Sequence, residues 1–215
     1  MDRVDMRPGA DDAAIADWIA IRIARALETT DGTVPIALPG GSTPFPICEI
    51  LVTRDLDWSR VVIEPTDDRV VSEDHPASNA GKLRALFEPV GARLASLVEM
   101  EASGQLPSGG YRLVWLGMGT DGHIASLFPN TDPRVDDERW LRRITPDPLP
   151  PEAPFDRVTL TLPALLSTDE LLFVIRGEDK SALFEAALRG ENDLPVARLL
   201  AARDIGHHRP VTCFT

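Results

Sequence analysis

The sequence predicts an α/β protein in which one mostly parallel β-sheet lies between helices on both sides, three layers in all. Three observations carry this. Short apolar runs of strand length recur at Val34 to Leu38, Val61 to Glu64, Tyr111 to Leu116, Leu171 to Ile175 and Val211 to Phe214. Segments with helical spacing alternate with them, the pattern that joins parallel strands by crossovers. Several of these runs end in loops crowded with glycine and polar residues, at the place where open α/β sheets carry their ligands.

The bulk properties agree with a single domain spanning residues 1–215. At 215 residues, with 43% apolar and 26% charged composition, the chain can bury a sizeable core. A net charge of −12 argues against nucleic acid or an anionic membrane as the main partner, since either would be repelled over most of the surface. Only Cys48 and Cys213 occur, too few for a disulfide framework, which points to a reducing compartment. The histidines are His75, His123, His207 and His208, and none has metal-site spacing with a partner; the last two read as a solvated turn.

Residues 11 to 28 form the first element. Ile15, Trp18, Ile19, Ile23, Ala26 and Leu27 share one helical face, and Asp11 and Asp12 stand at the amino end where the helix dipole favours them. Asp17, Arg22 and Arg25 interrupt the apolar run, so the helix reads as neither signal peptide nor membrane span, and the protein is expected to be cytoplasmic. Next come the strand Val34 to Leu38, the loop Pro39-Gly40-Gly41-Ser42-Thr43 and a helix with Pro44 near its first position. Exposed backbone N–H groups, a hydroxyl from Ser42 or Thr43 and a helix amino end suit a single phosphate. The same hydroxyls would equally serve as an ordinary helix cap.

After Val61 to Glu64, a polar stretch holds Asp67, Asp68, Arg69, His75, Ser78 and Asn79, which suits either a binding loop or a surface turn. A helix from about Ala80 to Phe87 and another from Leu94 to Met100 follow. Then the run Tyr111 to Leu116 breaks into Gly117, Gly119 and Gly122, which enclose Asp121 and precede His123, before apolar spacing resumes as a short helix from Ile124 to Phe128. Glycines let this backbone approach a ligand, and an aspartate two residues from a histidine can fix its tautomer. Capping by His123 is the plainer alternative. Gly117 to Gly122 also spells a dinucleotide fingerprint, but Asp136, Asp137 and Glu138 follow a stretch with no apolar run for the required second strand.

Residues 130 to 156 carry six prolines from Pro133 to Pro154 and read as a long loop over the site. The strand Arg157 to Leu162 alternates, Pro163 begins a short helical turn, and Leu171 to Ile175 leads through Arg176 and Gly177 into a helix. Of 22 basic residues, only Lys82 and Lys180 are lysine. A lysine behind a strand end in an arginine-biased chain suggests a need for a compact ammonium, although a chance surface position explains it as well. A helix from Pro195 to Arg203 and the strand Val211 to Phe214 complete the sheet.

In this order the segments LGMGTDGHIASLFP, PGGSTP, DDR with HPASN, RVTLTLP and GEDK resemble the 6-phosphogluconolactonase family over nearly the whole chain. The resemblance implies a three-layer, Rossmann-like sheet of the kind shared with glucosamine-6-phosphate deaminase and ribose-5-phosphate isomerase. It also implies hydrolysis of 6-phospho-D-glucono-1,5-lactone in the pentose phosphate pathway, with no cofactor; a monomer or small homo-oligomer is the expected state. His123 then matches the general base, and Gly41, Ser42, Thr43, Arg69 and Lys180 match positions that hold substrate and phosphate; Asn79 is a further candidate for binding and Asp121 for orienting the His123 ring. Two departures stand out. Asp68 replaces a usual glutamate, and Glu152 to Asp156 replace a usual Lys-Pro-Pro, so a cation there must come from Arg157 or be missing. A deaminase or isomerase of the same fold would carry Phe-Asn-Glu-Pro where this chain has Ser126-Leu127-Phe128-Pro129, and a sugar-phosphate-sensing regulator would need a basic DNA-binding segment.

Overall fold

The computed structural model describes residues 4–108, 110–149, 154–206 and 210–215. Its centre is a seven-stranded parallel sheet in the order β1-β10-β9-β6-β2-β3-β5. These strands are β1 (Asp5–Arg7), β2 (Val34–Leu38), β3 (Val61–Pro65), β5 (Arg93–Leu94), β6 (Leu113–Leu116), β9 (Leu171–Val174) and β10 (Val211–Phe214). A smaller antiparallel sheet joins β4 (Asp67–Arg69), β8 (Arg157–Leu160) and β7 (Leu141–Ile144) in that order.

The helices divide by face. Ile15, Ile19 and Ile23 of α1 (Asp12–Thr29), Ile47 and Leu51 of α2 (Pro44–Leu51) and Leu83 and Phe87 of α3 (Asn79–Phe87) pack with Ile36, Leu38, Leu113, Trp115 and Leu172 on one side. On the other, Leu97 of α4 (Leu97–Ser103), Leu165 of α5 (Leu162–Leu166), Phe184 of α6 (Glu178–Leu188) and Leu199 of α7 (Pro195–Gly206) pack with Ala37, Val114, Leu116 and Phe173. Alternate strand residues therefore enter opposite cores, which is why the strands read as unbroken apolar runs. The expected α/β class and three layers are found.

Caps explain the helix starts. Asp11 accepts a hydrogen bond from the Ala14 amide at 2.8 Å, Ser78 from Gly81 at 3.0 Å and Ser96 from Glu99 at 3.4 Å. Thr43, by contrast, precedes α2 in a helical conformation and makes no side-chain cap.

Several elements differ from expectation. The short helix over Ile124 to Phe128 does not form: Ala125 takes a left-handed φ of 48°, and Ile124 bridges both Met118 and Leu127, folding the segment back so that Ile124 and Leu127 plug the core. The helix expected from Leu94 starts at Leu97, because Arg93 and Leu94 pair with β3. The stretch 130–156, expected as a loop, contains β7 bonded to β8. Strand β1 had no counterpart in the sequence reading. His207 and His208 lie outside the described residues, as do Glu152 and Ala153.

Candidate active site

The chain runs outward from β2 through β3 to β5, then returns to the far side of β2 with β6 and continues to β9 and β10. The strand order thus reverses between β2 and β6, and the loops leaving their carboxyl ends diverge there to leave a crevice. A cavity of about 450 Å³ occupies this position. Gly41, Ser42 and Thr43 line it from the loop after β2, Arg69 and Asn79 from β4 and the start of α3, His123 from the loop after β6, and Lys180 from α6. Asp121 stands behind His123 rather than in the wall.

The imidazole is held firmly in place. His123 Nδ1 lies 2.6 Å from Asp121 Oδ1, and the same oxygen accepts the His123 amide at 3.2 Å. Phe128 packs a tilted ring 4.9 Å from the imidazole centroid. With Nδ1–H donating to the Asp121 carboxylate, the other ring nitrogen is left as the basic one. Gly119 allows this arrangement, since a Cβ there would overlap both the His123 ring and the Asp121 carboxylate. His123 is not a helix cap, because no helix follows it.

The wall opposite is built around Asp68, which is 1% exposed. Its carboxylate accepts the amides of Arg69 at 2.8 Å, Asn79 at 2.6 Å and Ala80 at 2.9 Å, and the Ser78 hydroxyl at 3.2 Å. Burial pushes this carboxyl above its ordinary range, while the backbone donors pull the other way. The result pins the amino end of α3 to β4. Asn79 then donates to the Asp67 carbonyl at 2.8 Å and accepts from Arg69 at 3.2 Å, and Arg69 also donates to the Ala77 carbonyl at 2.8 Å. Gly40 permits the Asn79 amide to approach the loop after β2, as a Cβ there would overlap it. Arg69 Nε is buried and meets no acceptor among the described residues. The polar stretch 67–79 is thus a wall of the site; His75 stays apart from it, accepting the Ala77 amide at 3.0 Å and packing on Phe155.

Among the charged and hydroxyl-bearing lining residues, Asp67, Ser126 and Arg176 carry no role in the sequence analysis, and Arg157 enters it only as the cation that could replace the usual lysine. The Ser126 hydroxyl donates to Asp67, and its amide donates to Thr159 Oγ1 at 3.2 Å. Arg157 pairs with Arg69 across β4 and β8 and lines the cavity, so a cation is present at that wall. The signal for it was the position in RVTLTLP; for Asp67 and Ser126 it was membership of DDR and ASLFP. Arg176, beside Gly177 at the end of β9, gave no signal beyond its place. Among the described residues, no group of three or more His, Cys, Asp or Glu side chains could hold a metal ion.

The model of the glucosamine-6-phosphate isomerases/6-phosphogluconolactonase family matches residues 10–207. The chain belongs to this family. It is 36% identical over 208 residues to a 6-phosphogluconolactonase of Pseudomonas aeruginosa, covering 87% of this chain and 86% of that one. A Neisseria meningitidis 6-phosphogluconolactonase is 32% identical over 219 residues, covering 93% and 91%. The crystal structure of a 6-phosphogluconolactonase from Shewanella baltica superposes with a TM-score of 0.80 at 26% identity, covering 99% of this chain and 97% of that one. A monomeric glucosamine-6-phosphate deaminase shares the fold alone, at 16% identity and a TM-score of 0.74 over 98% of this chain and 96% of that one. The dinucleotide-like Gly117 to Gly122 leads into a folded-back loop rather than the helix that a pyrophosphate site requires.

Proposed function

We propose that this chain hydrolyses 6-phospho-D-glucono-1,5-lactone to 6-phospho-D-gluconate, with His123 as general base. The observation that carries the reading is the His123–Asp121 pair at 2.6 Å in a cavity whose other walls hold Arg69, Arg157 and Lys180. One side supplies a base and the other an anion grip, and lactone hydrolysis needs both. Water bound at the free imidazole nitrogen loses a proton to it as its oxygen attacks the lactone carbonyl carbon. The tetrahedral oxyanion collapses, the bond from that carbon to the ring oxygen breaks, and the ring oxygen takes the proton from the imidazolium. The new carboxylic acid then ionises, releasing one proton. Asp121 holds the ring in place; Gly41, Ser42, Thr43, Arg69, Asn79 and Lys180 hold the substrate and its phosphate.

The partner implied is a small sugar phosphate, and the place of action the cytoplasm; no described helix is long and apolar enough to cross a membrane. The test is to generate the lactone in place by oxidising glucose 6-phosphate and to follow acid release with and without protein, subtracting spontaneous opening. Faster release, indifferent to chelator, is expected, together with no ammonia from glucosamine 6-phosphate. Ammonia release without lactone hydrolysis would assign the site to the deaminase branch instead.

A further inference from the structure

Arg176 enters the same cavity from the end of β9, yet none of the roles above uses it. It continues the strand face that carries Leu172 and Val174, the face shared with Trp115, and Trp115 and Val174 also line the cavity. This part of the cavity therefore reaches toward α1. Trp115 Nε1 is buried there without an acceptor among the described residues. Arg176 is held only loosely: one terminal nitrogen donates to the Ala10 carbonyl at 3.2 Å and to Asp12 Oδ1 at 3.3 Å. Both side chains of this ion pair remain partly open to solvent, at 36% for Arg176 and 42% for Asp12.

We propose that Arg176 is a further phosphate-binding residue and that Asp12 competes with the substrate for it. This rests on the lactonase reading of the site. A long, partly exposed ion pair contributes little, whereas a phosphate dianion in a partly enclosed cavity takes two parallel N–H bonds from a guanidinium. Arg176 turns from Asp12 toward the phosphate when substrate arrives, and the carboxylate it leaves behind limits how tightly the product is retained.

The two partners make opposite predictions, which a purely structural tether cannot imitate. Arg176→Ala raises KM for the phosphorylated lactone about tenfold, with a smaller change in kcat, and Arg176→Lys recovers part of the loss. Asp12→Asn lowers that KM about two- to threefold. On unphosphorylated glucono-1,5-lactone both variants stay within about twofold of the parent. If Arg176→Ala and Asp12→Asn both raise KM, or act equally on the two lactones, Arg176 is only a strap between β9 and α1 and the proposal falls. Calorimetric titration with inorganic phosphate separates this from the lactonase reading. Should the parent fail to hydrolyse the lactone, weaker phosphate binding in Arg176→Ala and tighter binding in Asp12→Asn would still support the competition, and no change in either would overturn it.

Discussion

Arg69 and Arg157 are direct partners in the β4–β8 ladder, so two guanidinium groups stand side by side in one wall of the cavity. Burial, and after it the charge of Arg69, weaken the hold of Arg157 on its proton, with Asp67, Asp68 and Asp156 opposing them. An anion bound between the two would relieve that repulsion. Inorganic phosphate or 6-phosphogluconate should therefore raise the melting temperature, as ligand binding to the folded state alone must. Arg157→Ala should blunt the rise and lift KM for the phosphorylated lactone about 10- to 150-fold, the equivalent of one charge-assisted contact of roughly 1.5–3 kcal/mol. An undiminished thermal response in Arg157→Ala would remove this residue from the phosphate site.

For His123, substitution by alanine should lower kcat about 10²- to 10⁴-fold while KM stays near the parent value. Gly119→Ala offers a second route to the same effect, because its Cβ would displace the imidazole from Asp121 without touching the phosphate wall. A normal kcat in a folded Gly119→Ala protein would show that the His123–Asp121 geometry is not needed.

The Asp68 carboxylate gathers four donors in a buried place. Asp68→Ala leaves them unpaired and should cost about 3 kcal/mol or more of stability, read by urea unfolding. Because Arg69 and Asn79 lose their alignment together, kcat/KM should fall even at temperatures where the variant is fully folded. Full activity in a destabilised variant would mean that the wall is held by other contacts.

Asp137 provides a pH test away from the site. Burial pushes its carboxyl up, but Arg142 and the Arg139 amide outweigh this and hold it below the usual carboxylate range. A depressed folded-state value means that the stability it contributes is present above the unfolded value of about 3.9 and is lost as pH falls through the folded one. Asp137→Asn should thus cost roughly 1 kcal/mol at neutral pH, and the difference from the parent should close as acid protonates the parent carboxylate. Lactone kinetics should not change, since Asp137 does not line the cavity. A gap that persisted into acid would show that packing, not charge, holds that turn.

The sequence revealed the parallel sheet because its strands are buried on both faces and so write themselves as apolar runs. In the second sheet β8 was legible from its alternation, but β4 and β7 were hidden for the opposite reason: β4 is Asp-Asp-Arg and β7 is Leu-Arg-Arg-Ile, and neither has the patterning of a buried strand. Strand β1 is three residues long with two of them exposed, too short to register. Ile124 and Leu127 have helical spacing, yet both are consumed in plugging the core, so spacing alone misassigned the segment after His123. Loop residues of the site were legible from type and position. Arg176 was not, because its relevance depends on Trp115 and Asp12, which lie far from it in sequence.

The reversal of strand order between β2 and β6 also bears on how the enzyme comes into being. The lining residues run from Pro39 to Lys180 and are drawn from both arms of the sheet, so no fragment confined to one arm owns a working site. Contacts this distant along the chain close late. During refolding, helical signal and core burial should recover first and turnover last, which makes enzymatic activity a reporter of the final docking of the two arms.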